Sequence, residues 1–146
     1  QAAGSVTDTR QQTFTSPVTG GIAVQKVLVV DDESNIRNIL DFSLDAEGFQ
    51  VISAADAEEA FQAAYVEGPD LIVLDVMMPG GDGIEVCRRL KREPRTRRIP
   101  VILLTARVAN EDRERGLAAG ADAYMTKPFS PQRLVEKVQS LLGVKS

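Results

Sequence analysis

An α/β domain built on a parallel sheet is the fold class this sequence predicts, and three observations predict it. Apolar runs recur without alternation: Val27-Leu28-Val29-Val30, Leu71-Ile72-Val73-Leu74 and Val101-Ile102-Leu103-Leu104. Such runs suit parallel strands buried on both faces. Stretches of helical spacing stand between the strand-like runs, and strand and helix alternate five times. Helical crossovers of this kind place helices on both faces of the sheet. Finally, two runs end in acids, Asp31-Asp32 after Val30 and Asp75 after Leu74. Open α/β sheets bind their ligands at the C-terminal ends of strands. Either acid alone is a weak signal, because an acid after a strand commonly just begins a polar loop. Two of them, on strands whose tips can meet, are a stronger one.

Composition sets the outer bounds. The chain has 146 residues, 43% hydrophobic and 26% charged, enough for one domain with a real core. A net charge of -4 and a pI of about 4.9 disfavour a broad nucleic-acid surface. The single cysteine, Cys87, excludes an internal disulfide and a CxxC pair. Histidine is absent, which excludes Ser-His-Asp and Cys-His catalytic sets, histidine zinc sites and a phosphohistidine on this chain. Acid-base or metal chemistry must therefore use carboxylates, Lys127 or hydroxyls. No run approaches the ~18 apolar residues of a membrane span. No basic-then-apolar signal opens the chain, so a soluble cytoplasmic setting is expected. The start at Gln1, without Met, points to a chain trimmed or cut from something longer.

The elements follow in order. Residues 1–25 are rich in Gln, Thr, Ser, Gly and Ala and are expected to be a disordered linker or tag remnant. Val18, Ile22 and Val24 are too few for a core element and support local packing at most. The domain is expected over residues 26–146. Val27–Val30 is the first strand. Ser34–Glu47 carries a helical stripe of Ile36, Ile39, Leu40 and Leu44, and Gly48 ends it. Phe49–Ser53 reads as the second strand. Asp56 and Glu59 form a capping box for a helix that turns Ala60, Phe61 and Ala64 inward, and Gly68-Pro69 stops it. Leu71–Asp75 is the third strand, and Pro79, Gly80, Gly81 and Gly83 demand a turn after it. Asp82 caps a third helix through Val86, Cys87 and Leu90. Arg88–Arg98 then holds seven basic residues and one acid. One reading is a site for an anionic partner; the plainer one is a solvated helix end favoured by the macrodipole. Val101–Thr105 is the fourth strand. Glu111–Ala119 is a weak, mostly charged helix closed by Gly120. Asp122–Lys127 is the short fifth strand. Ser130-Pro131 opens the last helix as N-cap and first residue, with Leu134, Val135, Val138, Leu141 and Leu142 inward.

Parallel strands present their C-terminal ends along one edge. That edge collects Asp31, Asp32, Asp75, Thr105 and Lys127. Three carboxylates close together repel one another unless a proton or a cation intervenes. Oxygen ligands with open positions suit Mg2+. Lys127 is a point charge for a phosphoryl oxygen, and Thr105 can donate a hydrogen bond to another. A carboxylate left to act as nucleophile would form an acyl phosphate. The set matches what phosphoryl transfer to an aspartate needs.

These residues lie in four motifs, "VLVVDDE", "DLIVLDVMMPGGDG", "PVILLTA" and "GADAYMTKPF". In that order and spacing the sequence resembles the response-regulator receiver domain of two-component signalling, from about Lys26 to Gly143. The resemblance implies a flavodoxin-like, doubly wound, five-stranded sheet of order 2-1-3-4-5. It implies that Asp75 accepts a phosphoryl group from a histidine kinase or phosphotransfer protein. It implies that Asp31 and Asp32 organise Mg2+, with Asp75 and the backbone carbonyl of Met77 as further ligands. Thr105 and Lys127 match the residues that hold the phosphoryl oxygens. Tyr124 matches an aromatic that changes rotamer with Thr105 on activation, and Pro128 a proline preceded by a cis bond. Met77 and Arg107 match positions flanking the approach of a hydrolytic water. The expected role is a signalling switch that shifts the face of helix 4, strand 5 and helix 5, not an enzyme. A homodimer or an effector domain is the expected output partner, with no membrane and no direct nucleic-acid contact by this domain.

Two other readings stand beside this one. A Mg2+-dependent phosphatase of the haloacid-dehalogenase type also uses a strand-end Asp, but it wants a second acid two residues on, where Met77 stands. A purely structural receiver-like module predicts no Mg2+-dependent binding of a phosphoryl mimic. The cognate kinase and the output are not legible in the sequence.

Overall fold

The computed structural model describes residues 18–19, 22–78, 81–106 and 110–143. Five parallel strands make the central sheet: β1 (Lys26–Val30), β2 (Gln50–Ala54), β3 (Leu71–Asp75), β4 (Val101–Thr105) and β5 (Ala123–Thr126). Their spatial order is 2-1-3-4-5, as the resemblance implies. Helices α1 (Ser34–Ala46), α2 (Ala57–Glu67), α3 (Gly83–Arg92), α4 (Asn110–Ala118) and α5 (Pro131–Leu142) connect or close the strands.

Successive side chains of a strand point to opposite faces, so each apolar run feeds two cores. Leu28, Val30, Ile72, Leu74 and Leu103 pack on one face with Ala60 and Ala64 of α2 and with Ile84, Val86, Cys87 and Leu90 of α3. Val27, Val29, Leu71, Val73, Ile102 and Leu104 pack on the other with Leu40 and Leu44 of α1 and Leu134, Val135 and Val138 of α5. This is why β3 and β4 are buried at every position. They lie inside the sheet, as does β1, which is buried from Val27 onward.

Local signals set the helix ends. Asp56 accepts a hydrogen bond from the Glu59 amide at 2.9 Å. Glu59 Oε1 in turn accepts one at 2.8 Å, from the amide of Ala55 and not from that of the cap residue itself. Asp82 Oδ1 accepts from the Ile84 amide at 2.8 Å, and Ser130 Oγ from the Arg133 amide at 3.3 Å. Gly48 follows α1 at φ +95°, a backbone conformation other residues rarely adopt.

Several expectations shift in detail. The second strand starts one residue later, at Gln50, and leaves Phe49 as a buried plug before it. The fifth strand loses one residue at each end. Ile39 is 44% exposed: on α1 only Leu40 and Leu44 are fully buried, and the apolar stripe is narrower than the spacing implies. Phe61 is half-buried beneath the guanidinium of Arg89, 4.1 Å from its ring centre. Two short antiparallel ladders were not anticipated. One pairs Val18–Thr19 with Ile22–Ala23, inside the stretch read as a linker. The other pairs Met77–Met78 with Gly81–Asp82, directly after Asp75.

The basic run that begins in the last turns of α3 and continues past it is in large part structural. Lys91 Nζ bonds the carbonyl of Ile99 at 2.7 Å and Asp122 at 3.0 Å. Arg95 bonds the carbonyl of Tyr65 at 3.1 Å, Arg88 pairs with Glu85, and Arg89 covers Phe61.

Candidate functional site at the strand ends

Register decides which side chains meet. Val30 lies level with Leu74, Asp75 with Leu104, and Thr126 with Thr105. Asp31 and Asp75 therefore share a level, Thr105 stands one residue beyond it and Lys127 two, all along the C-terminal edge. Backbone bonds continue the ladders past the strands and hold that level. The Asp31 amide reaches the Ala54 carbonyl at 3.1 Å, the Val76 amide reaches Leu104 at 2.8 Å, and the Lys127 amide reaches Thr105 at 2.7 Å.

Carboxylate oxygens of Asp31, Asp32 and Asp75 lie within 4.8 Å of one another. Asp31 is fully buried, Asp75 is 3% exposed and Asp32 faces solvent. Lys127 Nζ stands 2.9 Å from Asp31 Oδ2, 3.5 Å from Asp75 Oδ2 and 3.7 Å from Glu33 Oε1. The Asp31 contact has the length of a hydrogen bond without its angles, so that buried oxygen has no aligned donor. The other Asp31 oxygen accepts from the Glu33 amide at 2.9 Å, and Asp75 Oδ1 from the Met77 amide at 3.2 Å.

One ammonium thus serves several acids, and the imbalance shows in the proton affinities. Burial, then the charge of Asp31, pushes the Asp75 carboxyl up to about 6 from 3.8, although Lys127 and the Met77 amide oppose the rise. Burial pulls Lys127 down, but the close contact with Asp31 and the charges of Asp75, Asp31 and Glu33 outweigh it and raise its pKa.

The residues fit a divalent cation. Three carboxylates converge, one buried oxygen lacks a donor, and among the described residues the only cation ion-paired with these carboxylates is Lys127. All-oxygen donors with water-facing Asp32 suit Mg2+, which keeps part of its hydration shell.

Thr105 is fully buried at the end of β4. Tyr124 is half-buried on β5, level with Leu103 and beneath Gly116 of α4. The bond between Lys127 and Pro128 is cis, as the resemblance implies. Met77 is 50% exposed beside Asp75. Arg107 and Pro79 lie outside the described residues.

Sequence reasoning left three contributors unassigned. Glu33 shares Lys127; its only signal is its place directly after the two acids. Arg37 donates from Nη1 to the carbonyl of Asp31 at 2.7 Å and so fixes the turn that carries the acids. The sequence marks Asp82 only as a helix cap, yet its second oxygen accepts from Arg115 of α4 at 3.0 Å. Gly83 completes the turn. A Cβ there would lie 2.1 Å from the Asp75 carbonyl oxygen, so only glycine lets α3 begin this close to the acid.

Comparison with known proteins agrees with this geometry. The model of the response regulator receiver domain family matches residues 27–139. The phosphate regulon transcriptional regulatory protein PhoB of Escherichia coli is 49% identical over 118 residues, covering 81% of this chain and 52% of that protein. The alkaline phosphatase synthesis transcriptional regulatory protein PhoP of Bacillus subtilis is 48% identical, over 81% of this chain and 48% of that protein. The chain thus spans about half the length of these curated relatives. A crystal structure of a putative response regulator from Chloroflexus aurantiacus superposes with a TM-score of 0.78 at 38% identity, covering 82% of this chain and 98% of that one. The phosphatase alternative finds no support in these matches. Strand order, strand-end acids and the family match converge: the chain belongs to the response-regulator receiver domains, the phosphoacceptor switches of two-component signalling.

Proposed function

We propose that Asp75 is the phosphoacceptor, receiving its phosphoryl group from a histidine kinase or phosphotransfer protein. The observation that carries the assignment is the position of Asp75: its carboxylate converges with the other two acids and with Lys127, at the end of a fully buried strand. A carboxylate oxygen of Asp75 attacks phosphorus, the phosphorus–nitrogen bond of the donor breaks, and imidazole leaves with a proton. Lys127 and Thr105 meet the phosphoryl oxygens. Asp31, Asp32, Asp75 and the Met77 carbonyl would hold Mg2+, which supplies positive charge to the transferring group. Arg37 and the Glu33 amide keep the Asp31 turn in place for this.

Thr105 and Tyr124 are the proposed switch pair, with the face of α4, β5 and α5 shifting as populations of two arrangements change. The domain relays a signal instead of turning over a substrate. It acts in the cytoplasm, and an effector domain or a second protein reads its state. Among the described residues no helix is long and apolar enough to cross a membrane. The half-length match to PhoB and PhoP supports an attached effector.

Incubation with Mg2+ and acetyl phosphate should add one phosphate by intact mass. Asp75→Asn should abolish the addition; labelling of that variant at the wild-type rate would sink the assignment. Asp32→Asn should weaken Mg2+ more than Asp31→Asn does in a titration, because Asp32 faces solvent while Asp31 is already engaged by Lys127.

A further inference from the structure

Seven basic residues crowd the stretch Arg88–Arg98 of a chain whose net charge is -4. Internal bonds engage only part of them. Lys91 is held by the carbonyls of Ile99 and Arg97 and by Asp122, and Arg88 by Glu85. Arg92, Arg97 and Arg98 are exposed, and their guanidinium groups make no hydrogen bond or ion pair among the described residues. The macrodipole favours cations only in the last turn of a helix. It accounts for Arg92 at the end of α3 and not for Arg97 and Arg98 beyond it. The loop that carries these two is fixed. The buried Thr96 hydroxyl donates to the Leu90 carbonyl at 2.7 Å, and the Arg97 amide reaches the Glu93 carbonyl at 2.8 Å. Beside the loop, Arg89 lies over the Phe61 ring and Arg95 over the Tyr65 ring, 4.1 and 5.4 Å from the ring centres. A ring attracts the cation without accepting its in-plane donors, so the fork of Arg89 stays open. This arginine ridge precedes Val101, where β4 begins, and so lies at the edge of the sheet opposite Asp75.

We infer that this ridge binds the phosphate backbone of nucleic acid, without regard to base sequence. Arginine forks match pairs of phosphate oxygens. Arg89 and Arg92 are neighbours on one helix face, about 5–6 Å apart at Cβ, and the loop adds Arg97 and Arg98 just beyond. That row suits a line of anions better than a single one. An acidic protein segment is the other polyanion, but protein partners are anchored by apolar and aromatic side chains at the centre of the contact. Here the two rings lie under arginines, and Val66 is the only exposed large hydrophobic on α2 and α3 among the described residues. A polar, strongly positive surface is the mark of a nucleic-acid contact. The overall charge of -4 confines the contact to this ridge and keeps it weak. The resemblance led to the opposite expectation, no direct nucleic-acid contact by this domain. Asp75 and its metal site take no part, so the contact stands or falls apart from the phosphoacceptor reading.

The test titrates the whole chain into a fluorescein-labelled DNA duplex of about 25 base pairs and follows anisotropy, with a labelled poly-Glu peptide as the rival polyanion. Duplex binding is expected in the range of about 100 μM at about 50 mM salt. Affinity should fall about fortyfold by about 200 mM salt, the slope of three neutralised phosphates. A duplex of unrelated sequence should bind equally. Arg92→Ala with Arg97→Ala and Arg98→Ala should lose about tenfold or more and flatten the salt slope by about 2–3. Arg133→Ala with Lys137→Ala removes two exposed cations of α5 and should bind as the wild type does. Thermal melts check that both variants fold. Arg98→Ala alone, expected to flatten the slope by about 1, carries the test if the triple variant does not fold. Absence of duplex binding at about 50 mM salt, a strong preference between the two sequences, wild-type binding by the arginine variants, or an equal loss from the α5 pair overturns the inference. Tighter binding of poly-Glu than of the duplex also overturns it and assigns the ridge to an acidic protein partner.

Discussion

Helices α3 and α4 cover the same face of the sheet on either side of Tyr124 and Asp75, yet they are held in opposite ways. α3 buries Gly83, Ile84, Val86, Cys87 and Leu90, and its first turn is capped by Asp82. Its N-terminus is bolted to the phosphoacceptor turn, with the Gly83 amide 2.7 Å from the Val76 carbonyl. Among its described side chains α4 sets only glycine and alanine against the sheet, Gly116 within it and Ala119 just past its end, and it leaves Leu117 49% exposed. Apolar burial is the main local anchor of a helix, so α3 is the fixed wall of the site and α4 the wall free to shift.

The largest break in that contrast is Gly83→Ala. The new Cβ meets backbone on two sides, at 2.1 Å from the Asp75 oxygen and 2.8 Å from the Val76 Cα. Urea unfolding should show a loss of more than about 3 kcal/mol, or no folded protein. Tolerance within about 0.5 kcal/mol would mean the turn can open and α3 is not fixed by it.

Matched truncations sharpen the comparison. Leu90→Ala on α3 removes a fully buried side chain and should cost about 3 kcal/mol. Leu117→Ala on α4 should cost less than about 0.5 kcal/mol. Equal losses would end the distinction.

The acid between the two helices carries a penalty of its own. A carboxyl whose folded pKa is raised, here from 3.8 to about 6, holds its proton more tightly in the folded chain. Its contribution favours the fold at low pH and is lost as pH rises through that window. The full penalty, on the order of 2–3 kcal/mol, is present above it. Asp75→Asn should therefore stabilise the metal-free protein at pH 7 and leave it unchanged near pH 3. A lower melting temperature of this variant in EDTA at pH 7 would contradict the sign.

Smaller effects belong to the surface of the same pocket. Met77 is half-exposed beside Asp75, and its thioether offers no useful hydrogen bond to an attacking water. Met77→Asn should speed loss of phosphate severalfold with Mg2+ saturating; an unchanged or slower rate would show that this side chain does not limit water access. Smallest of all, Arg115→Ala removes a half-exposed ion pair to Asp82 and should cost about 0.5 kcal/mol or less. Its amide-exchange signature should be faster exchange across α4 with α3 unaltered. Uniform change in both helices would show that the pair does not act on α4 selectively.

The fold was legible because its signals are local. Unbroken apolar runs mark strands covered on both faces, and Asp56, Asp82 and Ser130 cap helices by bonds that span two or three residues. The site was legible as far as its members go, since parallel strands put Asp31, Asp75, Thr105 and Lys127 on one edge whatever the details. Glu33, Arg37 and the second role of Asp82 escaped because their partners lie on other elements. Arg37 looks like any surface arginine until α1 sets its guanidinium over the Asp31 carbonyl.

The sequence by itself determined five strands, five helices, their alternation and the acids at the strand tips, because hydrophobic periodicity and capping act between near neighbours. Only the tertiary structure decided the register that levels Val30 with Leu74 and Thr105 with Thr126, and the sharing of one ammonium among three carboxylates. It alone lifted the Asp75 pKa and brought Arg113 of α4 and Arg133 of α5 to the lining of one groove. The reason is physical: burial and Coulomb energy depend on distances between residues far apart in the chain, and packing sets those distances.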